Sequence, residues 1–182
     1  MKRIVITYLF VLSVIFTLQA QDYPKPDFKN QPVLFKDGAA QKLERQTAEM
    51  KVKVKALGYG GTQQEISVPG GTSPVRTSRK PSFLIWVDEG VDPESIIVLT
   101  RTDARSKKRN IPIAKVSAFA SLGARGKSMA GKYHVPYEIE KVSEDVYKIT
   151  PSADLLPKEE YALYNPEKTQ AQQVKIFLFG TN

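Results

Sequence analysis

The segment that says most about the fold is VYKITPSADLLPKEEYALY at residues 146–164. Its first four residues have the alternation expected of a β-strand with one face in a protein core. Leu155, Leu156 and Pro157 then predict a turn, and a second strand is predicted to begin at Tyr161. Residues 174–179, VKIFLF, are expected to pair with this second strand as a hairpin. The segment therefore predicts antiparallel β-structure near the C-terminus.

The order of these residues, with Tyr161 four positions after Pro157, resembles the tyrosine corner of immunoglobulin-like and fibronectin-type β-sandwiches. In those domains the tyrosine hydroxyl forms a hydrogen bond with the backbone of the loop that precedes its strand. The resemblance implies structural roles for Pro157 and Tyr161 at a corner between two sheets. Buried backbone groups at such a corner need a polar partner, which a phenol hydroxyl can supply.

The remainder of the chain also has the pattern of short strands separated by turns. Residues 50–56, MKVKVKA, alternate apolar residues with lysine, which predicts a strand with one buried face. Turn-forming segments such as PGG at 69–71 separate other candidate strands. These candidates lie at residues 33–35, 65–68, 75–78, 83–88, 95–101, 111–119, 135–142, 146–150, 161–165 and 174–179. About ten strands with almost no helical periodicity predict an all-β protein.

The predicted fold class is all-β: an antiparallel β-sandwich that is immunoglobulin-like but elaborated beyond the basic seven strands, preceded by a signal peptide. Residues 83–87, FLIWV, are apolar without alternation, which predicts a strand covered on both faces. Trp86, the only tryptophan, is predicted to anchor the core, because a tryptophan inside an apolar run usually packs against other apolar side chains.

The N-terminal residues have the order of a secretory signal peptide. Lys2 and Arg3 precede an apolar stretch at residues 4–18, and Ala20 stands at a plausible cleavage point. The apolar stretch is shorter than the roughly 20 residues that a membrane-spanning helix needs, and no other segment is long enough. We therefore expect export to the periplasm or the cell surface, with no membrane span after processing. With Gln21 as the new N-terminus, the chain resembles exported β-rich proteins of Bacteroidota.

Three regions are predicted: a signal peptide at residues 1–20, an extended N-terminal arm at 21–49 and a β-sandwich domain at 50–182. The arm contains three prolines within twelve residues of its start, which favour extended backbone. Residues 39–49 are good helix formers, but Leu43 is their only large apolar residue. A helix at residues 39–49 would therefore be short and weakly packed.

The composition excludes several kinds of chemistry. The chain contains no cysteine, which excludes disulfides, cysteine nucleophiles and cysteine-ligated metal centres. His134 is the only histidine, and its place at the start of a strand predicts a surface residue instead of a catalytic base. The acidic turn, DEGVDPE at residues 88–94, lacks the ligand spacing of an EF-hand loop. We therefore expect no metal site, no cofactor and no enzymatic activity.

The formal net charge of +8 favours anionic partners, and export argues against nucleic acid as the partner. Basic residues concentrate in two predicted loops. If both loops project from the same end of the sandwich, they form a basic patch that can bind phosphate or carboxylate groups. The candidate binding residues are Arg101, Arg105, Lys107, Lys108 and Arg109 in the first loop and Arg125, Lys127 and Lys132 in the second.

These observations predict an exported, non-catalytic β-sandwich module that contacts an envelope protein or an anionic glycan in a bacterial cell envelope. The residues alone leave two other classes open. A small outer-membrane β-barrel would need a similar number of strands. A secreted hydrolase would have to use a pair of carboxylates, or a serine together with His134.

Overall fold

The computed structural model describes residues 23–48, 50–54, 62–116, 130–170 and 173–182. Within these residues the chain forms fourteen strands, two short helices and a 3₁₀ turn at Pro166–Gln170. The strands are β1 (Val33–Lys36), β2 (Ala39–Lys42), β3 (Glu44–Ala48), β4 (Met50–Val54), β5 (Thr62–Pro69), β6 (Arg76–Thr77), β7 (Ser82–Trp86), β8 (Val98–Arg101), β9 (Asp103–Arg105), β10 (Lys108–Val116), β11 (Tyr137–Ser143), β12 (Val146–Pro151), β13 (Glu160–Tyr164) and β14 (Val174–Thr181). The helices are α1 (Pro93–Ile96) and α2 (Ala130–Tyr133). Neither helix in these described ranges has the length and apolar character needed to cross a membrane.

The strands are arranged in three sheets. The first sheet has the order β11-β12-β7-β1-β2, the middle sheet β3-β14-β13-β8 and the third sheet β4-β5-β10-β9. Neighbouring strands in these orders pair antiparallel, and the short β6 adds a parallel pair at the end of β14. The predicted all-β antiparallel sandwich is therefore confirmed.

The middle sheet has an apolar core on each of its faces. Leu163 and Phe177 pack with residues of the first sheet in one core, whereas Ala162 and Ile176 pack with residues of the third sheet in the other. Successive side chains of a strand point to opposite faces, so β13 and β14 contribute to both cores. All five residues of β13 are consequently buried. The sandwich thus has three layers, and its central strands β13 and β14 are largely apolar on both faces.

The strands β2, β3 and β4 follow one another along the chain but lie at the edges of three different sheets. The helix predicted over residues 39–49 is wrong, because residues 39–42 and 44–48 pair instead with β1 and β14. Backbone groups paired in this way need no helical hydrogen bonds. Leu43 is buried in the first core, where the chain passes from β2 to β3. The strands of the sandwich accordingly begin at β1, so the arm is shorter than predicted.

A backbone contact of the tyrosine-corner type is present at Tyr161. Its hydroxyl oxygen accepts a hydrogen bond from the backbone N–H of Leu156 at 2.9 Å. Burial raises the pKa of this hydroxyl, and the ring stacks on Phe179 of β14 with ring centres 5.5 Å apart. Pro157 lies in the turn between Leu156 and Tyr161. This geometry matches the contact that the resemblance implies, and it joins the turn to the start of β13.

The N-terminal arm contacts the outer face of the first sheet. Leu84 of β7 is fully buried on that face, although the neighbouring Phe83 points into the first core. The alternation of β7 places Trp86 on the same outer face as Leu84. The ammonium groups of Lys25 and Lys29 lie 3.9 and 5.1 Å from the centre of the Trp86 ring. The prediction that Trp86 anchors the core is therefore wrong, because its half-buried ring packs beneath arm lysines outside both cores.

Candidate functional site

The basic residues predicted to form one patch are distributed over different parts of the structure. Arg125 and Lys127 lie outside the described residues. Arg101 and Lys132 line one cavity, and Arg105 lines another. Since these two cavities have no lining residue in common, the described basic residues are divided between two surfaces.

The first predicted loop folds as a β-hairpin. β9 pairs with the start of β10, with Lys108 opposite Arg105, and residues 106–107 form the turn. Arg109 follows Lys108 and therefore points to the opposite face of the hairpin. As a result, the side chain of Arg105 is 66% exposed, whereas that of Arg109 is 1% exposed. We call residues 105–107 the hairpin tip.

Arg109 is the centre of a buried ion network, which we call the hairpin base. Its Nη1 and Nη2 donate to the two carboxylate oxygens of Glu44 at 2.8 and 2.7 Å, a bidentate geometry that guanidinium groups favour. Its Nε donates to the carbonyl of Gly70 at 3.0 Å, and Nη2 also donates to the carbonyl of Pro69 at 3.2 Å. Glu160 Oε2 lies 3.6 Å from Arg109 Nη1. Contrary to the prediction, Arg109 is part of the fold and is not available to a partner at the surface.

Glu160 extends this network to β6. Its Oε1 forms an ion pair with Arg76, and its Oε2 accepts a hydrogen bond from the backbone N–H of Ser73 at 2.8 Å. Arg76 also donates to the carbonyl of Thr181 in β14. Gly180 leaves room for the ion pair, since a Cβ at this position would overlap both Arg76 and Glu160. The network therefore joins β10 of the third sheet to strands of the middle sheet.

The carboxylate of Glu44 is held in its charged form by its neighbours. Burial raises the pKa of Glu44, but hydrogen bonds from Arg109, Ser73 and Gln46 outweigh this effect and leave the pKa below its ordinary value. A buried carboxylate without such donors would instead have a raised pKa. The Glu44 carboxylate is thus ionised at neutral pH, and its ion pair with Arg109 holds the start of β10 in place.

A groove of about 480 Å³ lies between the hairpin tip and the loop that follows β5. Gly71 of that loop packs against the tip so closely that a Cβ would lie 2.5 Å from the carbonyl oxygen of Arg105. This contact places the tip beside the opening of the groove. We call it the hairpin groove, and it is lined by Gly71, Thr72, Arg76, Ala104, Arg105, Ser106, Lys158 and Glu160.

Three basic side chains and one acidic side chain line the hairpin groove. The acidic one, Glu160, is 4% exposed and is already paired. Arg105 has a partner in Asp103 at 3.1 Å, whereas Lys107 and Lys158 are exposed and form no salt bridge with another described residue. The accessible charge of the groove and the tip is therefore predominantly positive, as an anion-binding surface requires.

Several residues of the hairpin groove could not be predicted from the sequence. Arg76 and Lys158 reach it from β6 and from the turn before β13, which are far from the hairpin along the chain. The only local signal was the pair of glycines at residues 70–71, since glycine is typical of places where two backbones approach closely. From the sequence, this pair predicted only a turn and gave no sign that the turn packs against the hairpin tip.

The other cavity, of about 320 Å³, is lined by residues that include Arg101, Lys132, His134 and Asp154. Arg101 lies 3.9 Å from Glu159. His134 is exposed, and within the described residues it has no hydrogen bond to a carboxylate that would orient it as a catalytic base. The described parts of the chain also contain no group of three or more potential metal ligands. This cavity has the character of a surface groove.

The acidic turn has structural contacts of its own. Asp92 caps α1 by accepting a hydrogen bond from the backbone N–H of Glu94 at 3.0 Å. Asp88 forms an ion pair with Lys29 at 2.8 Å and accepts a hydrogen bond from Asn30 at 2.8 Å. Both contacts keep the pKa of Asp88 below its ordinary value. These carboxylates therefore attach the arm to the sandwich and begin a helix.

Comparison with known proteins gave no relative from which a function can be inferred. No family model matches the chain, and neither a curated protein nor a solved structure matches it. The function is therefore inferred from the fold and from the chemistry of the hairpin groove.

Proposed function

We propose that this chain is an exported, non-catalytic β-sandwich module whose hairpin groove binds carboxylate or phosphate groups of a partner in the cell envelope. The partner is an anionic glycan or an envelope protein with an acidic surface. Export is supported by the signal-peptide pattern at residues 1–20. The binding role is supported by the exposed positive charge at the tip and the groove.

One observation carries the binding proposal: the exposed cations of the hairpin stand on a support that is packed and ion-paired. Arg105 and Lys107 belong to a hairpin whose tip packs on Gly71 and whose base is held by the ion pair of Arg109 with Glu44. Side chains on such a support lose less conformational freedom when they bind than side chains on a mobile loop. Guanidinium and ammonium groups at the groove can then contact successive anionic groups of a polymer.

The experiment measures retention on an anionic and on a neutral polysaccharide. Polygalacturonate supplies closely spaced carboxylates, and dextran supplies sugar without charge. We expect the protein to bind polygalacturonate, and we expect the binding to weaken with added salt because screening reduces attraction between exposed charges. The variant Arg105→Glu/Lys158→Glu should bind at least about 10-fold more weakly.

The matched control is Lys36→Glu/Lys80→Glu, which changes the net charge equally at exposed lysines that do not line the groove. Equal losses in both double variants would indicate a general charge effect and contradict a specific groove. An unchanged affinity in the groove variant would also contradict the assignment. Arg109 is unsuitable for this test, because changing it removes the support of the hairpin itself.

A further inference from the structure

Residues of the core between the first and middle sheets, among them Leu43, Ile97 and Phe177, also line cavities at its edge. Two cavities, of about 290 and 280 Å³, lie there on either side of Gln31 and Pro32. Phe177 of β14 contributes to the wall of both cavities. We call the smaller one the lysine cavity, and it is lined by Lys29, Asn30, Gln31, Pro32, Ile96, Ile97, Tyr164, Asn165, Lys168, Gln173, Lys175 and Phe177.

The deep wall of the lysine cavity is apolar. Ile96 and Ile97 stand where α1 leads into β8, and Tyr164 ends β13. These residues and Phe177 remain 2 to 6% exposed although they belong to the two cores. Burial raises the pKa of Tyr164 to about 12, so its side chain is neutral. The wall can therefore pack against an apolar group of a ligand.

The rim of the lysine cavity is cationic. Its ionised side chains are Lys29, Lys168 and Lys175, and its other polar lining residues are asparagines and glutamines. Lys29 is paired with Asp88, whereas Lys168 and Lys175 form no salt bridge with another described residue. Excess positive charge at the mouth of an apolar cavity favours an anionic headgroup.

The placement of Lys175 joins the apolar wall to the cationic rim. Lys175 and Phe177 are two residues apart on β14, so their side chains leave the same face of the strand. Lys175 is the single exposed residue of an otherwise buried strand. Lys175 lines the cavity together with Phe177, and a lysine side chain can pack its aliphatic stem on an apolar wall while its ammonium group stays in water.

From this geometry we infer that the lysine cavity is a binding site for a small amphiphilic anion. The ligand class is a short apolar chain or ring that carries one carboxylate or phosphate. The apolar part packs on Phe177 and the isoleucines, and the anionic part lies between Lys168 and Lys175. The volume is close to the lower limit of about 300 Å³ for small-molecule sites, which restricts the apolar part to a short one. This site shares no residue with the hairpin groove.

The test uses decanoate as the probe and backbone amide NMR shifts of the isotope-labelled protein as the readout. Decanoate should cause saturable shifts at residues 173–177 and at Asn165. Acetate has the charge without the chain, and decyltrimethylammonium has the chain with the opposite charge. Both should bind at least about 10-fold more weakly than decanoate. If acetate bound as well as decanoate, or if decanoate produced no saturable shifts, the inference would be overturned.

Two kinds of variant test whether decanoate binds in the lysine cavity. Lys168→Glu/Lys175→Glu should weaken decanoate binding at least about 10-fold, whereas Lys36→Glu/Lys80→Glu should leave it unchanged. Gln173→Trp fills the cavity from an exposed position and should block decanoate without altering charge. If decanoate binds equally well to the charge variant and to the filling variant, the proposed location of the site is wrong. The groove variant Arg105→Glu/Lys158→Glu should still bind decanoate, so failure of this inference is distinguishable from failure of the proposed function.

Discussion

The hairpin tip and the hairpin base come from one basic run, RSKKR at residues 105–109, yet they have opposite roles. At the tip, Arg105 is largely exposed and is paired with Asp103. At the base, Arg109 is almost wholly buried and is paired with two carboxylates. Because side chains alternate along a strand, a step of one residue decides which cation faces solvent. A run of positive charge therefore does not by itself define a binding surface.

The base and the tip also differ in the free energy needed to remove their charged groups from water. Transferring ions out of water is unfavourable unless hydrogen bonds and opposite charges replace the lost hydration. Arg109 has both kinds of replacement, since two carbonyls and two carboxylates surround it. Arg105 keeps most of its contact with water and needs no such partners. The comparison predicts that the same substitution has very different effects at these two positions.

The largest effect is expected for Arg109→Ala. Its removal leaves Glu44 and Glu160 with fewer partners in a buried site, and breaking a buried ion pair in this way typically costs about 3–5 kcal/mol. Urea denaturation followed by circular dichroism measures the change in the free energy of unfolding. Arg109→Lys should fall between alanine and wild type, because an ammonium keeps the charge but not the bidentate fork. A loss below about 1 kcal/mol for Arg109→Ala would contradict the role of the base.

A smaller effect is expected for Gly71→Ala, which tests how the tip is held. The added Cβ would lie 2.5 and 2.7 Å from the carbonyl oxygens of Arg105 and Ser106, so the backbone of the tip must move. Overpacking of this kind usually costs about 1–3 kcal/mol. Urea denaturation measures the loss, and amide NMR shifts at residues 105–107 report the movement. Gly131→Ala is the matched control, because a Cβ there meets nothing within 4 Å.

A change of pH should also alter the stability that the base contributes. The folded-state pKa of Glu44 lies below its ordinary value, so the stability it contributes is fully present above the unfolded-state pKa of about 4.3. That contribution is lost as the pH falls from about 4.3 through the lower folded-state pKa. Urea midpoints measured at about pH 6 and about pH 3 should therefore differ less in Glu44→Gln than in wild type. An identical pH dependence in the two proteins would show that Glu44 does not carry this effect.

The parts of the fold that sequence patterns predicted are those that depend on neighbours along the chain. Tyr161 bonds to the backbone only five residues earlier, and β13 and β14 are largely apolar runs that follow each other along the chain. Local alternation and turn residues therefore contain enough information to predict this hairpin. The apolar run of β7 likewise predicted burial on both faces, which Leu84 shows.

The parts that patterns missed depend on partners far along the chain. Residues 39–48 become edge strands only because β1 and β14 supply their hydrogen bonds, and no local pattern specifies a distant neighbour. Arg109 meets Glu44 across 65 positions of sequence. Trp86 is covered by Lys25 and Lys29, which belong to the arm. The surface role predicted for Arg109 is wrong for the same reason, since pairing across the fold decides which basic residues remain exposed.

The smallest effect on stability is expected at the tip, for Arg105→Ala. The ion pair of Arg105 with Asp103 is exposed, and such pairs contribute little because water and salt screen them. The free energy of unfolding should therefore change by no more than about 0.5 kcal/mol, while retention on polygalacturonate should fall. Urea denaturation and retention measured on the same preparation separate the two properties. A stability loss as large as that of Arg109→Ala would erase the distinction between tip and base, because both arginines would then support the fold.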